Sequence, residues 1–288
     1  MPFVSTKDNV GLFYRDWGAG EPVIFCAAWA LSSVAWQYQM TAVLDSGRRA
    51  LAYDRRGHGR SDDPGGGFDY DTLADDLAAL IDRLDLHGVT LVAHSMASGE
   101  VIRYLTRHGH DRVDGLVLLA PTTPFPLKTA DNPDGVDGAL FAESRAQWRC
   151  DFAQWVLDNE GPYMGDGLPG CAVSSLLREQ TKIDMLTTTL QAVIEFQRTG
   201  VETDFREELT RVAVPTLVIQ GDCDASAPLP LTGSRTAALI RDCHLVVYDN
   251  APHGLYLSHR DRLNRDLLAF IGGRESRQTV DAGHASAP

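Results

Sequence analysis

The chain has 288 residues, of which 44% are hydrophobic and 23% are charged, and its formal net charge is −13. This length and composition are typical of a globular protein with one large domain, or one domain with an insertion. An acidic chain repels nucleic-acid phosphates and anionic lipid, so neither is an expected partner. There is no apolar run of the roughly 18 residues that span a membrane, and no signal-peptide pattern, so the expected location is the cytoplasm.

The early and middle parts of the chain alternate strand-like and helix-like patterns. "GLFYRDWG" predicts an antiparallel hairpin near the N-terminus. Continuous apolar strands separated by helices then predict the α/β class, with a doubly wound and mostly parallel sheet covered on both faces. The predicted strands are Pro22–Ala27, Ala50–Asp54, Val89–His94, Leu116–Ala120, Thr216–Gly221 and His244–Asp249.

One long segment interrupts this alternation. Residues 124–209 contain no good strand, but they contain two groups of apolar residues at helical spacing. The first group is Phe141, Trp148, Phe152 and Trp155, and the second is Ile183, Leu186, Leu190, Val193 and Ile194. We interpret the segment as a helical cap over a pocket, because open α/β sheets bind ligands at the carboxyl ends of their strands. A plain helical subdomain is the alternative. The predicted core is then 1–123 with 210–271, and the polar segment 272–288 is expected to be a mobile tail.

A serine stands where a buried strand gives way to a helical pattern. In "LVAHSMASGE", Ser95 has alanines two positions before and two positions after it. Small residues at these positions make room for a sharp turn that exposes a nucleophile above the sheet. Taken alone the pattern is weak, since an ordinary strand-end turn looks similar.

Two loops farther along the chain strengthen that interpretation. "GDCDASAP" puts Asp222 and Asp224 after one predicted strand, and "NAPHGL" puts His253 after the next. Serine needs a base to take its proton and an acid to orient that base, and all three would meet at one edge of a parallel sheet. We predict Asp224 as the orienting acid and Asp222 as a turn residue.

Several stretches together resemble a known family. They are "WQYQM", "AYDRRGHGRSD", "AHSMASGEV", "TDFREEL", "VPTLVIQGDCD" and "NAPHGLYLSH", and they span nearly the whole chain outside the tail. The chain is similar to α/β-hydrolases, and within them to the cofactor-free haloperoxidase and aryl-esterase group. The resemblance implies Ser95, Asp224 and His253 as nucleophile, acid and base, in agreement with the motifs. It also implies an oxyanion hole formed by the backbone N–H groups of Trp29 and Met96.

The oxyanion loop departs from the family pattern. The usual His-Gly before the oxyanion residue is replaced by Ala27-Ala28. Alanine follows the same path only if φ stays negative, so the orientation of the Trp29 N–H depends on the local backbone. The segment "DRRGHGRSD", which resembles the family's turn after an early strand, is expected to be structural, and so is His94 beside the candidate nucleophile Ser95.

These features predict a serine hydrolase that cleaves an ester or lactone of a small organic molecule through an acyl-enzyme. The resemblance implies a perhydrolase side activity and no metal or organic cofactor. A receptor-like relative that binds a small molecule and a carbon–carbon bond hydrolase are the alternatives. The oligomeric state is open. Candidate pocket residues, which could equally form the core of the cap, are Ala30, Trp148, Phe152 and Trp155.

Overall fold

The computed structural model describes residues 2–284, and in the last helix it describes side chains only through residue 273. Its centre is an eight-stranded sheet with the order β1-β2-β4-β3-β5-β6-β7-β8. The strands are β1 (Phe3–Ser5), β2 (Gly11–Trp17), β3 (Pro22–Cys26), β4 (Arg49–Tyr53), β5 (Val89–His94), β6 (Val113–Leu119), β7 (Thr216–Gly221) and β8 (Cys243–Tyr248). From β4 to β8 all neighbours are parallel. The predicted fold class is therefore correct.

The N-terminal edge of the sheet is antiparallel but differs from the predicted hairpin. The residues of "GLFYRDW" form the single strand β2, which pairs with β1 on one side and β4 on the other. The expected turn inside this segment is wrong, because one continuous run of residues pairs first with β1 and then with β4.

Helices cover both faces of the sheet. They are α1 (Gln37–Asp45), α2 (Tyr70–Arg83), α3 (Ala97–His108), α4 (Gly138–Met164), α5 (Ser175–Thr187), α6 (Leu190–Glu202), α7 (Arg206–Leu209), α8 (Gly233–Leu239), α9 (Leu255–Ser258) and α10 (Arg260–His284), with a 3₁₀ helix at Ser33–Trp36. The apolar side of α2 joins the core with α3, and the side chain of Asp69 caps α2 by accepting the Thr72 N–H. Helices α1 and α10 cover the opposite face.

Helices α4 to α7 lie between β6 and β7, two neighbouring parallel strands. We call helices α4, α5 and α6 the cap. Helix α4 is kinked at Asp151, whose backbone leaves the helical region while its carboxylate accepts the Gln154 N–H. The second predicted helical face, from Ile183 to Ile194, is divided between two helices. Helix α5 ends at Thr187, and α6 begins at Leu190 with the Thr189 side chain as its N-cap.

The C-terminal helix α10 extends through much of the segment that we expected to be a tail. Its backbone is helical as far as His284, and residues 285–288 lie outside the described part of the chain. Among residues 2–284, no helix has both the length and the apolar character that crossing a membrane requires.

Candidate active site

The candidate nucleophile sits on a sharp turn between β5 and α3. Ser95 has φ 59°, in the left-handed region that non-glycine residues usually avoid at a cost of about 1–2 kcal/mol. The turn is held from both sides: the Ser95 N–H donates to the Leu119 carbonyl over 2.9 Å, and the Ser95 carbonyl accepts the Ser98 hydroxyl over 2.6 Å. Ala93 and Ala97 are fully buried around it, so larger side chains would not fit. Strain held by the surrounding fold is common at functional sites.

Ser95, His253 and Asp224 form a continuous chain of hydrogen bonds. His253 Nε2 lies 2.8 Å from Ser95 Oγ, and His253 Nδ1 lies 2.7 Å from Asp224 Oδ2. All three residues are at most 5% exposed. They come from the loops after β5, β7 and β8, so the parallel strands bring them to one edge of the sheet.

The two neighbouring aspartates have different environments. The second carboxylate oxygen of Asp224 accepts the backbone N–H groups of Ser226 (2.9 Å) and Ala227 (2.8 Å). These bonds fix the orientation of the carboxylate toward His253. Asp222 is exposed, and its backbone N–H donates to the Tyr248 carbonyl.

Trp29 and Met96 both border the same space as Ser95 and His253. Within the described part of the chain, no acceptor is hydrogen-bonded to the backbone N–H of either residue. The Met96 carbonyl accepts the Tyr70 hydroxyl over 2.8 Å, which fixes this peptide at the start of α3. Two unoccupied N–H groups beside a nucleophile are the donors that an oxyanion hole requires.

The replacement of His-Gly by Ala27-Ala28 introduces no left-handed alanine at those two positions. The left-handed residue in this loop is instead Ala30, with φ 59°. The carbonyl of Ala27 accepts the Arg55 guanidinium over 2.9 Å, so an interaction from the end of β4 holds the loop.

Arg55 also links this loop to the helix that follows Ser95. Its guanidinium pairs with Glu100 of α3 at 2.7 Å, and both side chains are at most 2% exposed. It lies 4.5 Å from the centre of the Phe196 ring. Burial opposes the charged form of both groups, raising the pKa of Glu100 and lowering that of Arg55 to about 10.

The oxyanion loop is further tied to the cap. The Trp29 indole N–H donates to the Val193 carbonyl over 2.8 Å, and the Thr188 hydroxyl donates to the Ala30 carbonyl over 3.0 Å. Both the N–H and the hydroxyl of Ser32 donate to the Asp184 carboxylate. We call these contacts the loop–cap clasp.

His94, beside the nucleophile, lies under His253. Its Nε2 is 3.2 Å from the His253 carbonyl oxygen. Burial and the neighbouring His253 lower the pKa of His94, so the ring is neutral. The His94 ring supports the His253 loop, and within the described chain it makes no hydrogen bond to the Ser95 side chain.

The hydrogen-bonded trio opens into a cavity of about 430 Å³ between the sheet edge and the cap. This volume suits a small organic ligand. Its wall combines the trio's Ser95 and His253 with aromatic and aliphatic side chains from α4, α6 and the loop before α4. A mostly apolar wall with a few polar groups is the usual form of a small-molecule site.

Four predicted pocket residues take different positions. Trp148 and Trp155 line the cavity, whereas Ala30 and Phe152 are not part of its wall. Ala30 is fully buried beneath Trp148. Trp29 packs against Trp148 at 4.8 Å, Phe152 at 5.8 Å and Trp155 at 5.7 Å between ring centres, so these cap aromatics form a cluster on the oxyanion loop.

Some polar residues of the wall were not singled out from the sequence. Arg235 of α8 borders the cavity, as do Lys182 and Glu160, which pair at 3.1 Å. None belongs to a motif with fixed spacing, so only the folded chain reveals them.

Metal ligands of the usual kinds are not grouped in the described residues: no three or more His, Cys, Asp or Glu side chains are arranged to hold an ion. The absence of a cofactor stays a prediction. All five cysteines, which fall within the described chain, are free thiols.

A family model described as the alpha/beta hydrolase fold matches residues 21–260. The chain therefore belongs to the α/β-hydrolase family, as its motifs predicted. Similar proteins include the non-heme chloroperoxidase CPO-A1 of Kitasatospora aureofaciens, which is 39% identical over 94% of this chain and 99% of its own length. The bifunctional esterase/perhydrolase DCH of Acinetobacter calcoaceticus is 37% identical, with the same coverage of both chains.

Solved structures agree on the architecture. A bromoperoxidase from Bacillus anthracis superposes with a TM-score of 0.89 at 31% identity, over 94% of this chain and 99% of that one. The enol-lactonase of Burkholderia xenovorans LB400 has a TM-score of 0.81 at 20% identity, over 94% and 100% of the two chains, and shows the shared fold. The predicted resemblance to the cofactor-free haloperoxidase and esterase group is confirmed.

Proposed function

We propose that this protein is a serine hydrolase that cleaves a small carboxylic ester or lactone through an acyl-enzyme on Ser95. The observation that carries the proposal is the bonded sequence Asp224–His253–Ser95 at the floor of a cavity of about 430 Å³. The family comparisons confirm the enzyme class, an ester hydrolase, and the residue roles below are our proposal.

In the first half-reaction His253 Nε2 takes the proton of Ser95 as Oγ attacks the substrate carbonyl. Asp224 keeps the proton of His253 on Nδ1 and stabilises the imidazolium that forms. The N–H groups of Trp29 and Met96 donate to the oxygen that becomes negative in the tetrahedral intermediate. When the intermediate collapses, His253 gives its proton to the leaving alkoxide, and the acyl group stays on Ser95.

In the second half-reaction a water molecule gives a proton to His253 and attacks the acyl carbonyl. Collapse returns that proton to Ser95 and releases the carboxylic acid. Hydrogen peroxide in place of water would release a peracid by the same steps, with no electron transfer at the enzyme. The perhydrolase side activity therefore needs no further residue.

Two alternatives start from the same site. Carbon–carbon hydrolysis would use the same trio with a carbon leaving group. The intact trio, and the absence of left-handed backbone at Ala27 and Ala28, favour an enzyme over a receptor-like relative. We therefore prefer the hydrolase.

Small esters and lactones are the proposed substrates, and the cavity volume sets their size. A cytoplasmic location stays a prediction from the sequence. A dimer or higher oligomer is neither required nor opposed by the site, since the trio comes from one chain.

A fluorophosphonate probe tests the covalent step. We expect one label per chain and hydrolysis of p-nitrophenyl acetate, with both lost in Ser95→Ala. Ser5→Ala is the matched control, because Ser5 is an exposed serine on β1 that does not line the cavity. Equal hydrolysis by the wild-type and Ser95→Ala proteins would overturn the proposal.

A further inference from the structure

Arg235 is a cation in the cavity wall, and none of its contacts with described residues is to a carboxylate. Of the cavity-lining residues, Lys182 and Glu160 carry opposite charges and pair with each other. Arg235 has no Asp or Glu oxygen within 4.0 Å anywhere in the described residues. This stands out in a chain whose net charge is −13.

The guanidinium is held in a fixed position. Its Nη2 donates to Asn132 Oδ1 over 2.9 Å. The orientation of that amide is set in turn, since Asn132 Nδ2 donates to the carbonyls of Phe125 (3.0 Å) and Leu127 (2.7 Å). Asn132 is 1% exposed. The Arg235 guanidinium is therefore held in one position, where α8 meets the loop before the cap.

This guanidinium has unused hydrogen-bonding capacity. The Nη1 group is buried and has no acceptor in the described part of the chain. A guanidinium has five N–H donors in a planar fork that matches a carboxylate, and such charge-assisted pairs are strong in a partly dry site. Its one acceptor among the described residues, the amide oxygen of Asn132, is neutral and does not compensate the charge.

We propose that Arg235 binds a carboxylate carried by the substrate, so that the preferred substrate is an ester or lactone with a second, free carboxylate group. This inference rests on the proposed hydrolase function and names its substrate class. The apolar wall would hold the carbon chain between the scissile carbonyl at Ser95 and the anionic end at Arg235. The substrate carboxylate supplies the negative charge that no described residue places beside Arg235.

The kinetic test compares two p-nitrophenyl esters of equal length: the half-ester of glutaric acid and the uncharged pentanoate. We expect wild type to favour the charged ester in kcat/KM. Arg235→Gln should lower the charged-to-neutral ratio by about 10- to 100-fold, as the loss of a charge-assisted hydrogen bond does, and Arg235→Lys should restore part of it. Arg211→Gln removes one exposed positive charge outside the cavity and is the matched control.

A binding test separates this inference from the hydrolase proposal. Ser95→Ala protein is titrated with glutarate monoethyl ester and with ethyl pentanoate, using the fluorescence of the cavity tryptophans. We expect tighter binding of the charged ligand, and loss of that preference in Ser95→Ala/Arg235→Gln. If wild type hydrolysed neither ester, the proposed hydrolase function would be refuted. The binding preference for the charged ligand would still test the role of Arg235. An unchanged preference in both the kinetic and the binding test would mean that Arg235 only ties the loop to α8, and would overturn the inference.

Discussion

Asp222 and Asp224 are only two positions apart in the sequence, but the fold gives their carboxylates different surroundings. Asp224 is 4% exposed and has both carboxylate oxygens occupied, one by His253 and one by two backbone N–H groups. Asp222 is exposed. The sequence placed both after a strand, and our prediction of Asp224 as the acid matches the contact, although its catalytic role is still to be measured.

Asp224→Asn should lower kcat by about 10⁴-fold, whereas Asp222→Asn should change it less than tenfold. The amide would keep its oxygen on the N–H groups of Ser226 and Ala227 and turn its NH₂ toward His253 Nδ1. That contact forces the wrong tautomer of the imidazole. The measurement is kcat for p-nitrophenyl acetate, with thermal melting to show that both variants fold. A larger loss for Asp222→Asn would reverse the two roles.

Arg55 is a positioning residue in our interpretation, because it touches the oxyanion loop but borders no reacting atom. Arg55→Lys can keep a charge beside Glu100 but loses the bond to the Ala27 carbonyl. We expect kcat to fall about tenfold with little change in KM. This is less than the roughly 10²- to 10³-fold fall in kcat that follows the complete loss of an oxyanion donor. Steady-state kinetics with p-nitrophenyl acetate measure the changes in kcat and in KM separately.

The neighbouring arginine gives a control for Arg55. Arg56 pairs with Asp76 and Asp8, away from the oxyanion loop. Arg56→Lys should lower the melting temperature without the fall in kcat. If Arg55→Lys also lost only stability, the link between β4 and the oxyanion loop would have no catalytic consequence.

At the level of elements, the cap both roofs the cavity and holds the oxyanion loop. Helix α6 packs its Gly200 directly against Met96, whose backbone N–H is one of the two proposed oxyanion donors. A Cβ added at Gly200 would lie 1.6 Å from Met96 Cε. The Met96 backbone is fixed by Tyr70, so its flexible side chain is the part that can move.

Gly200→Ala should therefore push the Met96 side chain into the cavity and raise KM severalfold for bulky aromatic esters, with a smaller effect on acetate esters. An alanine within a helix would otherwise add up to about 1 kcal/mol of stability relative to glycine. Gly273→Ala in α10 measures the propensity effect, because no described atom outside the adjacent helix backbone lies within 4 Å of the added Cβ. Equal KM changes for large and small esters would show that the cavity had not narrowed.

The elements differ in how far the sequence could predict them. The strands around Ser95, Asp224 and His253 were predictable, since apolar runs, turn residues and a known motif mark them locally. Inside the cap the break between α5 and α6 was missed, because apolar residues continue at helical spacing across Thr189. The contacts of Arg55 with Glu100 and of Arg235 with Asn132 join residues 45 and 103 positions apart, and such pairs leave no periodic signal.

For the whole molecule, two buried histidines couple stability to pH. Burial lowers the pKa of His58 to about 3, and it lowers that of His94 well below its usual value. His58 lies near Arg55, and its Nδ1 bonds the Arg56 carbonyl. As pH falls below about 6.5, the unfolded chain takes up these protons before the folded one, so the stabilisation present at neutral pH is lost toward acid.

We expect these two histidines to lower the free energy of unfolding by about 3 kcal/mol between pH 6.5 and pH 5, because the unfolded rings go from half to almost fully protonated over that range while the folded rings stay neutral. Urea unfolding across this range measures it. In His58→Asn, the new amide can replace the Nδ1–H bond to Arg56. The histidine contribution to the change in unfolding free energy with pH should then be roughly halved. A slope equal to that of wild type would show that His58 is not titrating on unfolding.

The cap leaves the sheet after β6 and returns at β7, its immediate parallel neighbour. In evolutionary terms this makes the cap an exchangeable part: its sequence can drift or be replaced while the strands that carry Ser95, Asp224 and His253 stay in register. The loop–cap clasp limits that freedom. A transplanted cap would have to offer a carboxylate to Ser32 and a carbonyl to Trp29, so selection for new substrates should leave these anchor points under constraint while the rest of the roof diversifies.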